Sequence, residues 1–420
     1  MIHPVSTLPP SACRASLTGR RSRSAQSDRE ARSGEVRGRP GKASAMDYDV
    51  IVIGGGLVGV SIAWGLSRCG QRVAIVDEGD VANRAARANF GLVWSSSKGL
   101  GNAAYSRWSR TSTANWHRLA AELKAETGID TGFVQSGGFS IRLTSTELER
   151  GIASMAKLAA QPGMDAEGTP PLEYEILDQA ETRRRLPLVG DTVAGAIFSP
   201  LDGHANPLRL FAVFHKALRQ RGVHYFPHRK TNAIRHSAGA FQVAGEGWRL
   251  GAGKVVLAAG IGNTALAGIV GLSVPLSPSR GQIIVTERLK PFLSHATGYL
   301  RQTDEGSVLI GESKEAAIDH QRPRGPITAV LAERALRTFP LLRDAKAVRI
   351  WAAFRVVTPD GYPIYEQSER FPGAFAFACH SGVTLAANHA LVLPRQISAG
   401  ALSDDLCVFH SRRFHVPAAV

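Results

Sequence analysis

The sequence predicts an α/β protein that opens with a strand–turn–helix–strand unit of parallel sheet and continues into a region of more antiparallel sheet. Three observations predict it. The apolar run from Tyr48 to Ile53 leads directly into Gly54-Gly55-Gly56-Leu57-Val58-Gly59, and Val58, Ile62 and Leu66 then recur at helical spacing up to Gly70. A second apolar run, Val73 to Val76, ends in Asp77, which completes about the 30 residues that a crossover needs. Some 200 residues later, Lys254 to Leu257 repeats the buried-strand pattern and leaves through Ala258, Ala259 and Gly260.

The remaining elements follow in chain order. Trp116, Leu119, Ala120 and Leu123 mark an amphipathic helix closed by Gly128, and Leu208 to Arg219 marks another. Phe133 to Ile141 and Gln282 to Thr286 carry the antiparallel pattern. No internal repeat is visible after residue 46.

Length and composition bound the class. The chain has 420 residues, 44% apolar and 20% charged, which is ordinary globular usage for two or three domains' worth of core. Its net charge of +15 is unevenly spread: residues 1–46 hold nine Lys or Arg against three acids, and the other 374 residues carry +9 without a basic run. That pattern describes a solvated surface rather than a nucleic-acid track, and no nucleic-acid partner is expected. The head is rich in Ser, Arg, Gly and Pro with no aromatic residue, so it is expected to be disordered, with the working chain beginning at Met46. The most apolar stretch, Ala265 to Leu276, is too short and too broken to span a bilayer. The four cysteines, Cys13, Cys69, Cys379 and Cys407, lie far apart with no metal-ligand spacing, which fits a reducing compartment.

Gly54, Gly56 and Gly59 form the Rossmann-like G-x-G-x-x-G. The first glycine permits the tight turn, the second lets backbone approach a pyrophosphate, and the third lets helix pack on strand. Its context supports a dinucleotide site: a strand precedes it, a helix follows, and Asp77 stands 18 residues after Gly59, where a carboxylate accepts from ribose hydroxyls. Glu78 is the competing acid. The alternative is a glycine-rich turn in an unrelated α/β protein.

The chain resembles the FAD-dependent D-amino-acid oxidase superfamily over residues 47 to 415. The resemblance rests on four motifs in order: the glycine turn, Asn89-Phe90-Gly91-Leu92-Val93-Trp94, the strand ending at Gly260, and Ala353-Phe354-Arg355 followed by Cys379-His380-Ser381-Gly382-Val383-Thr384-Leu385. Within the superfamily the chain is most similar to the B subunits of opine oxidases and to hydroxyproline and proline dehydrogenase β subunits. This implies an α/β fold with a Rossmann-like FAD-binding domain and a discontinuous α+β substrate domain on a mostly antiparallel sheet. The implied boundaries are FAD-binding parts at 47–129, 191–270 and 348–420, and substrate parts at 130–190 and 271–347.

The resemblance also implies site residues. Gly54, Gly55, Gly56, Leu57, Val58, Gly59, Asp77 and Glu78 would hold the ADP half of a non-covalent FAD. Arg87, Asn89 and Gly91 would pass the pyrophosphate toward the ring, and Ala233 would meet adenine through its backbone. Ala259 and Gly260 would end a strand beneath the flavin. Gly382, Val383, Thr384 and Leu385 would open the last helix of the flavin domain, where an N-terminus stabilises negative charge on the reduced ring. Arg355 would fork onto the substrate α-carboxylate; the alternative is an ion pair with Asp360 or another acid across the loop. His380 is the second catalytic candidate, against a histidine that only shapes the turn. Tyr299 is read as core rather than pocket wall.

The implied reaction is hydride transfer from the carbon next to an unprotonated amine to flavin N5, giving an imine that hydrolyses. The substrate would be an opine, a D-amino acid or a cyclic or secondary amino acid. Electrons would leave through a cysteine-rich partner chain in a cytoplasmic hetero-oligomer that meets the inner membrane, if at all, through that partner. Two other readings remain at this point: an RNA-modifying flavoenzyme of the same superfamily, and a non-catalytic FAD-holding subunit.

Overall fold

The computed structural model describes residues 46–79, 85–311, 313–316 and 322–414. The predicted head, apart from Met46, lies outside the described residues. In chain order the elements used below begin with β1 (Tyr48–Ile53), α1 (Leu57–Arg68), β2 (Val73–Val76) and α2 (Ala103–Thr127). Then come β3 (Gly138–Arg142), β4 (Glu175–Asp178), β5 (Gly195–Ser199), α3 (Pro207–Gln220), β6 (His224–Phe226), β7 (Ala233–Ser237), β8 (Ala240–Gly245) and β9 (Trp248–Leu257). The rest are β10 (Ser277–Arg288), β11 (Leu300–Gln302), β12 (Ser307–Ile310), β13 (Ala347–Val357), β14 (Ile364–Gln367), β15 (Ala374–Ala378), α4 (Ala386–Leu391) and α5 (Leu393–Ala399).

The main sheet runs β14-β15-β9-β1-β2-β6, parallel along this order except for the edge strand β14, and the β7–β8 hairpin joins it antiparallel to β9. Val50 and Val52 of β1 pack against Trp64 of α1, Phe214 of α3 and Ala387 of α4, while Ile51 and Ile53 pack on the other side with Val255, Leu257 and Ala376. Burial on both faces is why the strand sequence is continuously apolar instead of alternating. The predicted helix stops are present. Asn102 caps α2 by accepting from Tyr105 N–H, and Gly128 closes it at φ 72°, a left-handed conformation that costs glycine little.

A second sheet joins β11, β12, β10 and β13 in antiparallel register, with the long pairing of β10 and β13 placing Arg355 opposite Ser279. A third sheet sets β5 between β3 and β4, again antiparallel. Together they form the α/β architecture expected: a parallel Rossmann-type sheet and antiparallel substrate-domain sheets.

Two expected boundaries move. Gly195–Ser199 falls in the predicted flavin part 191–270 but pairs with β3 and β4. Ala347–Val357 falls almost wholly in the predicted part 348–420 but pairs with β10. A short apolar strand reads alike in either sheet; hydrogen-bond partners remote in sequence decide which it joins.

Candidate active site

The sheet places its ligand crevice where β1 has β2 on one side and β9 on the other. Ligands bind at such switch points, outside the carboxyl ends of the strands. The exits of β1 and β9 touch there: a Cβ on Gly54, at φ +108°, would lie 2.4 Å from Ala258 O. A Cβ on Gly59 would lie 1.9 Å from Gly54 O, so that glycine lets α1 close on the turn. At Gly56 a Cβ would meet nothing within 4 Å. The open space at the second glycine is a cradle of the kind a pyrophosphate needs. Asp77 Oδ2 accepts from Gly55 N–H at 2.7 Å and Oδ1 from Gly79 N–H at 3.0 Å, so Asp77 is the acid aimed at the turn, while Glu78 is exposed.

The stretch toward the ring is fixed by short local bonds. Gly91 N–H donates to Asn89 Oδ1 at 2.7 Å, and a Cβ on Gly91, at φ +96°, would strike Ala205 O. The Arg87 guanidinium lies over the Phe211 ring at 5.3 Å. Ala233 begins the β7–β8 hairpin, opposite Ala244; the chain just before it is tied to the crevice by Arg229 N–H donating to Asp77 O at 2.7 Å. Asn263 Oδ1 accepts from Ala259 N–H at 2.8 Å and holds the exit of β9.

Gly382 to Thr384 form a turn and Leu385 is the N-cap of α4, whose first helical residue is Ala386 and which breaks at Val392 before Pro394. A Cβ on Gly382 would meet nothing nearer than Leu57 at 4.0 Å, so space is open here also. The turn is anchored from behind: Trp116 Nε1 donates to Val383 O at 3.0 Å, Ser112 Oγ to Thr384 O at 2.8 Å, and Trp94 N–H to Thr384 Oγ1 at 3.1 Å.

Arg355 reaches this end of the molecule from β13. Its Nη2 donates to Ser313 O at 2.6 Å and its Nη1 lies 3.3 Å from His380 Nε2. The Asp360 carboxylate pairs with Arg413, at 2.7 Å. The guanidinium lies across Gly281 of β10, where a Cβ would come within 2.6 Å of Arg355 Nε. Ser313 is itself held, donating through Oγ to Glu315 Oε1 at 2.8 Å and accepting from Gln282 N–H at 2.9 Å. Glu315 is buried and paired with Arg280 at 3.0 Å.

His380 is neutral. Burial, then the positive charges of Lys98, Arg355 and Lys314, push its pKa down to about 3. On its other side Ser381 Oγ lies 3.4 Å from Nδ1, and that hydroxyl receives hydrogen bonds from Lys98 Nζ at 2.7 Å and from Tyr105 at 3.1 Å. Lys98 stands on a turn fixed by the buried Asp202, whose carboxylate accepts from Ser95 N–H at 2.7 Å, from Ser96 N–H at 3.1 Å and from Ser96 Oγ.

Sequence reasoning missed Lys98, Ser313, Asp202 and Gly281. Only Gly281 carried a local signal, a glycine inside a strand pattern, which marks a close approach. Tyr299 is core as expected, its hydroxyl 2.7 Å from Thr338 Oγ1. Among the described residues no helix is long and apolar enough to cross a membrane, and no His, Cys, Asp and Glu cluster could hold a metal.

Comparison with known proteins agrees with this geometry. A family model described as FAD dependent oxidoreductase matches residues 49–393. The B subunit of opine oxidase from Agrobacterium tumefaciens (strain Ach5) is 46% identical over 374 residues, covering 89% of this chain and 100% of that protein. The B subunit of opine oxidase from Rhizobium meliloti is 44% identical over 373 residues, covering 89% and 99%. The crystal structure of glycine oxidase from Geobacillus kaustophilus matches with a TM-score of 0.77 at 24% identity, covering 89% of this chain and 99% of that one, and shares the fold.

Proposed function

Because the chain belongs to the FAD-dependent oxidoreductase family, we propose that it oxidises the C–N bond of an opine-type amino acid, in which a secondary amine links two carbon skeletons. The observation that carries the reading is Arg355, a guanidinium fixed by Ser313 O and His380 Nε2 and laid over Gly281. Similarity to opine oxidase B subunits favours a secondary amine over a D-amino acid or a cyclic one.

The cradle at Gly54 to Gly59 with Asp77 would hold the ADP half of FAD without a covalent link, and the open turn at Gly382 would face its ring. When bound, FAD accepts the hydride that leaves the carbon beside nitrogen. The chain's own residues set up that departure. Arg355 seats a carboxylate and so fixes which carbon faces the ring. Arg355, Lys98 and Lys314 surround His380 with positive charge, and a positive surrounding disfavours the protonated form of an amine. A substrate nitrogen that enters unprotonated has its lone pair free to assist the loss of hydride, and water hydrolyses the resulting imine. A general base is not required.

The names of the B-subunit relatives favour a multi-subunit enzyme; with no iron–sulfur spacing among this chain's own cysteines, a cysteine-rich partner would take the electrons. The test of the reaction is anaerobic bleaching of the flavin by a panel of opines, sarcosine, glycine, hydroxyprolines and D-amino acids. Fastest bleaching by an opine supports the reading; bleaching by none of them overturns it.

A further inference from the structure

A line of four side chains runs from one cation to another. Lys98 Nζ donates to Ser381 Oγ at 2.7 Å, Ser381 Oγ lies 3.4 Å from His380 Nδ1, and His380 Nε2 lies 3.3 Å from Arg355 Nη1. The two cations are therefore separated by one hydroxyl and one imidazole. No carboxylate among the described residues pairs with Lys98; its polar contact is the Ser381 hydroxyl.

Lys98 is also not a loosely held surface lysine. It is half-buried, and its backbone belongs to a turn in which Lys98 N–H donates to Ser95 O at 3.1 Å while Asp202 grips Ser95 and Ser96 from the interior. Tyr105 holds the same Ser381 hydroxyl from the other side at 3.1 Å. An ammonium presented by an anchored turn to a neutral ring is arranged for an anion that no described carboxylate supplies.

We propose that Lys98 seats a second carboxylate of the substrate, so that Arg355 and Lys98 together select an amine carrying a carboxylate on each side of nitrogen. This rests on the opine reading and names the residue that makes the distinction. A carboxylate–carbon–nitrogen–carbon–carboxylate chain with an ionic contact at each end runs alongside the line of one imidazole, one hydroxyl and the three contacts that join the two cations. The charge argument agrees with the geometry. A substrate with one carboxylate would leave Lys98 with the Ser381 hydroxyl as its polar contact, whereas a second carboxylate supplies an ionic one. The groups whose charges act on His380 are Lys98, Arg355 and Lys314, all positive. Lys314 is exposed, so Lys98 is the cation placed to face a ligand from within.

Iminodiacetate and sarcosine test this directly, since both are secondary amines built on glycine and only one has the second carboxylate. Equilibrium binding to the flavin-loaded protein, read by perturbation of the flavin spectrum or by calorimetry, does not depend on turnover. The wild type should bind iminodiacetate more tightly, Lys98→Met should weaken iminodiacetate by about tenfold or more while leaving sarcosine within about twofold, and Lys98→Arg should keep the preference. Equal weakening of both ligands, no weakening, or a wild type without preference overturns the proposal. The two readings fail separately. A Lys98-dependent binding preference without bleaching by any C–N donor would sink the proposed reaction and leave the subsite standing. Bleaching by opines with no dependence of binding on Lys98 would do the reverse.

Discussion

Nη1 of Arg355 lies 3.3 Å from Nε2 of His380, and because a guanidinium can only donate, Nε2 carries the ring's lone pair and Nδ1 its proton. The neutral tautomer is thus set by the residue proposed to bind substrate. With the His380 pKa near 3, the profile of flavin reduction between pH 5 and 8 should show no titration of this ring. His380→Leu leaves Nη1 without its acceptor and should raise KM by a factor reflecting about 1–3 kcal/mol, while His380→Gln, which keeps an acceptor, should restore most of it. A histidine that only shapes the turn would give the two variants the same KM.

Gly281 offers a test of Arg355 that leaves the arginine in place. A methyl group at Gly281 would come within 2.6 Å of the guanidinium, the flexible end of a side chain, so it should displace Arg355 without breaking the sheet. Gly281→Ala is expected to keep flavin content and Tm while raising KM for carboxylate substrates, and Arg355→Leu to raise KM further, by about 2–5 kcal/mol. Unchanged KM in both variants would remove Arg355 from substrate binding.

The glycine turn predicts opposite outcomes at neighbouring positions. Gly56 sits at φ −72° with nothing within 4 Å of its would-be Cβ, so Gly56→Ala should fold normally and lose FAD. Gly59→Ala puts a methyl group 1.9 Å from Gly54 O and should destabilise the protein itself. Asp77→Ala should lower FAD retention, each lost ribose hydrogen bond being worth about 0.5–1.5 kcal/mol. Flavin content and the melting of flavin-free protein separate the effects.

These residues also mark how far the sequence was legible. The turn at Gly54 to Gly59 and the acid at Asp77 were readable because strand, turn, helix and strand are consecutive, and their roles depend on backbone only a few residues away. Arg355 was readable through resemblance, not through periodicity. Lys98 and Asp202 were not readable, because their roles are created by packing between segments more than 100 residues apart, Lys98 on Ser381 and Asp202 on Ser96. The strand Gly195–Ser199 was not readable for a similar reason: its apolar pattern fits either sheet, and only its pairing with β3 and β4 decides.

Asp202 gives the fold a pH dependence opposite to that of the buried histidines. Desolvation raises its pKa from 3.8 to about 6 despite the hydrogen bonds from Ser95 and Ser96. A carboxyl group raised in this way binds its proton more readily folded than unfolded, so its contribution is fully present below about pH 4 and is lost as pH rises through 6. Buried His389, lowered to about 3, works the other way and costs stability as pH falls below the ordinary histidine value of 6.5. Asp202→Asn, which mimics the protonated acid, should be more stable than wild type at pH 8, by up to about 3 kcal/mol, with the gap closing toward pH 4. Urea unfolding at the two pH values reads this directly, and a gap that widens on acidification would contradict the assignment.

The final prediction concerns where the electrons go. Reduced flavin must pass on two electrons, and the four cysteines of this chain, at 13, 69, 379 and 407, have no spacing suited to an iron–sulfur relay. Cys379 is buried, with its thiol pushed up to about 12, so it is held protonated and is a poor thiolate ligand. The two relatives at 46% and 44% identity are named as B subunits, a name that implies a companion chain. The isolated protein, once reduced by substrate, is therefore expected to react slowly with oxygen, to pass electrons readily to an artificial dye, and to reach full turnover with a cysteine-rich partner. The rival is a self-sufficient oxidase. Peroxide release by the lone chain separates them: a rate equal to the dye-coupled rate shows that oxygen alone re-oxidises the flavin, and a rate far below it shows that the chain depends on a partner.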